Sequence, residues 1–291
     1  MNFQEQLRYR LKQMNSAEKL ILVNIVCFIL PLFAHTLLYL FALPQGFFLG
    51  WFELTADWSD LLFKPWTLIT YSFIHTGFFH LFWNMYLLYF ASRLMLNLFN
   101  EKTFFNVYFL GVLLGGLTFI LSYSVFPAFQ DISPIMVGAS AGVMAVFIFM
   151  ATYSPDLEVR LIFFNIKLWY LGLAFVLLDV IQTPYGNAGG HLAHLGGAAL
   201  GYFYVRRLAQ GVDIGTPFEN LVNRFLNLFS KQSKLKTVYR KTTKSTPPKT
   251  TNTDEDQKRI DAILDKISKS GYDSLSQKEK DFLFQAGKKN Q

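Results

Sequence analysis

The chain has 291 residues, 52% of them hydrophobic and 17% aromatic, with 31 phenylalanines. Its net charge of +7 belongs to one end: 18 of the 27 Lys and Arg residues stand at Arg206 or beyond, and nine precede it. The charge therefore describes the tail and does not argue for nucleic-acid binding, and the single cysteine, Cys27, excludes an intrachain disulfide.

Residues 1–19 are polar and read as a cytoplasmic N-terminal segment. The first apolar run, 20–43, is long enough to cross a bilayer, and no small-residue cleavage site follows it, so it reads as a retained span rather than a signal peptide. Six spans are predicted in all, at 20–42, 72–91, 104–126, 138–152, 168–182 and 190–205. The last three are short, since 15 helical residues cover only about 22 Å of a hydrocarbon core about 30 Å thick. Exposed backbone ends cannot face lipid, so short spans imply a water-filled cavity at one end of the bundle.

Near the spans, ten Lys and Arg fall on one side (Arg8, Arg10, Lys12, Lys19, Arg93, Lys102, Arg160, Lys167, Arg206 and Arg207) and only Lys64 on the other. Both termini are therefore expected in the cytoplasm, with the aromatic segment 43–71 outside and against the interface. A cytoplasmic tail follows the domain 20–207. An amphipathic juxtamembrane segment at 208–230 carries an apolar stripe from Phe218 to Phe229, with Thr216 as N-cap and Glu219 completing a capping box. A basic linker at 231–255 reads as disordered, and a small helical hairpin occupies 256–291, its second helix capped by Ser276 with Glu279.

This orientation gathers four polar residues at one outer depth: His80 and Asn84 on the second span, Ser140 at the start of the fourth, and His194 near the outer end of the sixth. In "VGASAG" (137–142) no bulky neighbour shields the serine, and a serine needs a base within reach to become a nucleophile. His194 is the candidate base, because Gly197 and Gly201 share its face and permit close approach of the fourth helix. His80 and Asn84, at i and i+4, could donate with the Ser140 backbone N–H to an oxyanion. Alone, that pair also fits interhelical hydrogen bonding. His191 reads as cavity lining and His75 as interfacial. A zinc half-site at His191 and His194 is set aside, because no carboxylate or thiol is placed at their depth, and no metal or cofactor is expected.

The H-x-x-x-N of "HLFWN", the G-x-S of "GAS" and the A-H-x-x-G-x-x-x-G of "AHLGGAALG" resemble the rhomboid intramembrane serine proteases over about 60–207. The resemblance implies an all-α polytopic membrane protein with a six-helix bundle. It also implies a Ser140–His194 dyad without an acidic third member, an oxyanion site using His80 and Asn84, and cleavage of single-span membrane proteins. Lipid is the other expected partner. Two positions depart from the family pattern: Ala141 follows the serine where Gly is frequent, and Trp66-Thr67 replaces a Trp-Arg pair in the outer loop. The tail resembles the short cytoplasmic segment carried by some bacterial rhomboids, and the expected location is a bacterial inner membrane. An inactive rhomboid-like client-binding protein is the rival reading; such relatives typically lack the serine or the histidine.

Overall fold

A computed structural model describes residues 2–43, 49–130, 132–161, 163–229 and 253–289. The chain divides into two compact units, 1–231 and 232–291.

In the first unit, a short helix α1 (Phe3–Gln13) and the apolar α2 (Ser16–Leu40) each start with a capping box, Asn2 with Glu5 and Asn15 with Glu18. The other apolar stretches form α5 (Phe78–Leu96), α6 (Glu101–Val125), α7 (Ser140–Tyr153), α8 (Leu168–Gln182) and α9 (Ala188–Leu208). The fold is therefore that of an all-α membrane protein. Among the described residues, three segments are long and apolar enough to cross a membrane: Ser16–Leu40, Glu101–Val125 and Leu168–Tyr185.

The core is built around α7. Every residue from Ala141 to Ala151 is buried, the state expected of a helix that is apolar all round. Glycines let its neighbours close on it. A methyl group at Gly197 or Gly201 of α9 would collide with the carbonyl oxygens of Ala141 or Ala145, and one at Gly111 or Gly115 of α6 with the side chains of Ala145 or Ala141. Both sets repeat every four residues, so α7 is gripped along two faces by backbone rather than side chains. Because α7 has no lipid face, its 14 residues do not need to match the bilayer.

The second predicted span is displaced. Residues 72–77 do not belong to α5, because the chain first makes α3 (Trp58–Phe63), α4 (Thr67–Thr70) and a 3-10 turn at Tyr71–Phe73. Polar tethers hold that segment: Thr70 Oγ1 donates to Phe52 O at 2.9 Å, and the buried Tyr71 hydroxyl donates to Val112 O on α6 at 2.7 Å. Where the family pattern has Trp-Arg, Trp66 stacks on Trp51 and its Nε1–H donates to Trp51 O at 2.7 Å, while Thr67 Oγ1 donates to Lys64 O. Strand β1 (Leu54–Thr55) pairs antiparallel with β2 (Ile135–Met136), tying the loop to the residues that lead into α7. A second hairpin, β3 (Glu158–Leu161) with β4 (Phe164–Lys167), joins α7 to α8 and was not anticipated.

After α9, Asp213 accepts from the Tyr204 hydroxyl and from Gly215 N–H, and α10 (Thr216–Phe229) begins. Glu219 pairs with Lys102 of α6, and Thr216 lies inside the helix, so the expected capping box at this start is replaced by an ion pair. Most of the predicted linker falls outside the described residues. Its last three residues, 253–255, are instead the first turn of α11 (Thr253–Ser270) in the second unit. There a turn at Gly271, with φ +76°, leads to α12 (Gln277–Lys289). The backbone N–H and hydroxyl of Ser276 donate to Glu279, which also binds Lys266, while Ile263 and Leu275 are buried.

Candidate active site

Ser140 is the first residue of α7, and the chain reaches it through a turn that only glycine accommodates easily. Gly138 has φ +122°, and its N–H donates to Tyr71 O at 2.9 Å. A Cβ there would lie 2.7 Å from His80 Nε2 and 3.7 Å from Ser140 Oγ. The absent side chain is what lets the His80 ring lie over the start of α7. The Ser140 N–H has no intrahelical acceptor and points out of the positive end of the helix.

His80 stands in the first turn of α5, its Nδ1 3.1 Å from Thr76 Oγ1. With the Thr76 hydroxyl donating, Nε2 carries the proton and presents it toward Gly138 and Ser140. Asn84, one turn further along, is buried, and one of its amide hydrogens is bound to His80 O at 2.9 Å. The second amide hydrogen remains for the cavity.

His80, Asn84, Ser140 and His194 all line one cavity of about 790 Å³, with Asp179, Asn187 and His191 also on its wall. The structure thus brings together the four residues singled out in the sequence. Ser140 Oγ and His194 are not hydrogen-bonded to one another; catalytic contacts of this kind commonly tighten only around a substrate. His191 lines the cavity as expected, its ring edge-on to His194 at 6.0 Å between centroids.

Two expectations change. His75 is buried rather than interfacial: its ring meets that of His80 at 5.1 Å, and its Nε2 accepts from Ala139 N–H at 3.5 Å, directly behind the serine. Burial pushes His75 down to about 4, with a smaller contribution from neighbouring His80.

The second change is an unexpected carboxylate. Asp179 of α8 is buried and receives both His191 Nδ1 and His194 Nδ1 on Oδ1, each at 2.8 Å. The idea that no carboxylate shares the histidines' depth is therefore corrected. The three donor atoms lie within 4.8 Å of one another, a set a divalent cation would accept. Their spacing, however, is that of hydrogen bonds, since ligands on a tetrahedral zinc with bonds near 2.0 Å stand about 3.3 Å apart. Asp179 could have been found from sequence, as an acid inside the apolar run "FVLLDVIQ".

A buried central helix opening on a cavity of serine, histidines and asparagine defines a polytopic helical membrane protein with a candidate hydrolytic centre. The chain belongs to the rhomboid family, for residues 62–211 match the Rhomboid domain. Residues 251–289 match a family of unknown function, DUF6576. The chain is similar to the presenilin-associated rhomboid-like protein, mitochondrial, of Homo sapiens and of Mus musculus, at 30% identity over 151 residues, 50% of this chain and 38% of theirs. To protein A of that name from Danio rerio it is 29% identical over 138 residues, covering 46% of this chain and 35% of that one. The match thus spans less than two fifths of those relatives' length.

Proposed function

We propose that this protein is an intramembrane serine endopeptidase with six crossings, acting on single-span membrane proteins that enter the cavity from the membrane. The observation that carries the reading is the convergence of Ser140, His194, His80 and Asn84 on one cavity at the start of a buried helix. Ser140 Oγ attacks the scissile carbonyl carbon as its proton passes to His194 Nε2. The new oxyanion is met by the Ser140 N–H, the His80 Nε2–H and an Asn84 amide hydrogen. Collapse breaks the C–N bond, His194 gives its proton to the leaving amine, and a water then repeats the sequence on the acyl-enzyme. The chemistry uses only groups of the chain and water.

Both termini belong on the cytoplasmic side in this reading, with the cavity toward the outer face. The bacterial inner membrane draws no support from relatives whose names are mitochondrial, and localisation with compartment markers decides it. For the activity, purified protein is incubated with a model single-span substrate and a fluorophosphonate probe. Cleavage and labelling should both vanish in Ser140→Ala and cleavage in His194→Ala. Stable substrate capture without cleavage by wild-type protein would favour the client-binding reading instead.

A further inference from the structure

The resemblance leads to a dyad, yet the most completely built polar contact in the cavity has three members. We infer that Asp179 is the positioning carboxylate of the site, fixing the tautomer and orientation of His194 while His191 donates to the same oxygen. The inference rests on the proposed serine-protease reading and deepens it.

Asp179 is the only acid within α5, α7, α8 and α9. A buried carboxylate is costly unless strong donors satisfy it. The two imidazole N–H groups are such donors, and together they fill Oδ1, which has lone pairs for two. Binding to Asp179 requires the proton of His194 on Nδ1. That leaves the Nε2 lone pair, on the far side of the ring, free to take the Ser140 proton. When Nε2 is protonated, the imidazolium still has Asp179 against it, and the carboxylate itself gains no proton. His191 reaches the same oxygen from one turn earlier on α9. The other titratable groups on the cavity wall are His80 from α5 and Tyr71.

The direct test is Asp179→Asn, nearly equal in shape, assayed beside wild type with the model substrate. The amide can offer its N–H₂ to Nδ1 and hold His194 in the tautomer that cannot accept from serine. The expected result is kcat lower by about 10²- to 10⁴-fold, KM within twofold, unchanged melting, and fluorophosphonate labelling slowed in proportion. A variant that melts like wild type and keeps kcat within threefold overturns the inference. A second measurement needs neither activity nor folding of that variant. Nitrogen-15 NMR of the histidines in Ser140→Ala should find Nδ1 protonated on both His191 and His194. A proton on Nε2 of His194 instead, or stoichiometric zinc retained by this variant, overturns it too. Turnover or labelling that survives Ser140→Ala would instead strike the protease reading, so the two failures are told apart.

Discussion

Helices α2 and α7 are both predominantly apolar, and hydropathy alone treats them alike. Four of the 25 residues of α2 are buried, Ser16, Ala17, Leu20 and Asn24, and the rest of its length presents large side chains such as Ile29, Leu30 and Phe33 outward. All of α7 from Ala141 to Ala151 is buried. The difference lies in what stands opposite. α7 meets Gly111 and Gly115 on one side and Gly197 and Gly201 on the other, so neighbouring backbone lies against its Ala141 and Ala145 methyls on the first side and against their carbonyls on the second. Apolar content tells a helix which solvent it prefers, and small residues at four-residue spacing tell it which helix it touches.

The largest effect that could break this comparison comes from filling the α7–α9 contact. A side chain at Gly197 meets the Ala141 carbonyl, which is backbone and cannot swing aside. Gly197→Val should lose the folded state in detergent or melt far below wild type, beyond the about 1–3 kcal/mol typical of overpacking. Leu30→Ala on the exposed face of α2 should stay within about 0.5 kcal/mol. Equal melting of the two variants would remove the distinction between the helices.

The next effect separates two asparagines with the same local geometry. Asn24 Nδ2 donates to Leu20 O and Asn84 Nδ2 to His80 O, each at 2.9 Å and four residues back along its own helix. Only Asn84 lines the cavity. Asn84→Ala should lower kcat by about 10- to 10²-fold, the low end for one oxyanion donor because His80 and the Ser140 N–H remain, with little change in KM. Asn84→Asp should be at least as damaging, placing negative charge beside the oxyanion. Asn24→Ala should move the melting temperature and leave kcat per folded molecule unchanged. Near-normal turnover by Asn84→Asp, in protein that melts like wild type, would reduce Asn84 to a packing residue.

These contrasts also show what was legible beforehand. Ser140, His80, Asn84 and His194 could be placed together because span direction and residue spacing assign each a depth. Asp179 can be counted in the sequence but not paired there, since its partners lie 12 and 15 residues later across the turn into α9, where neither helical nor strand periodicity carries information. The β3–β4 hairpin was missed because four-residue strands alternate too briefly to stand out between two apolar helices. His75 looked interfacial because its burial comes from long-range folding. The β1–β2 pairing and the Gly138-to-Tyr71 bond bring the start of α7 against the loop that holds it. No window of sequence around residue 75 contains that contact.

The smallest expected effect tests this last point through pH. In the folded chain His75 is held down to about 4 from an ordinary value of 6.5, chiefly because burial disfavours its charged form. Below about pH 6.5 the unfolded chain binds a proton at this position that the folded chain does not, so protonation favours unfolding. Stability from this group is complete above pH 6.5, falls as pH drops toward 4, and levels off once the folded form is protonated as well. The structural reason is visible at Nε2, which accepts from Ala139 N–H and cannot do so with a proton of its own. Wild-type protein should therefore melt a few degrees lower at pH 4.5 than at pH 7, and His75→Gln, which keeps an acceptor but cannot titrate, should show a shallower fall over the same window. The measurement is a melting series across pH 4 to 7.5 in one detergent at fixed ionic strength. Identical slopes in the two proteins would mean that His75 does not sit buried behind the serine turn.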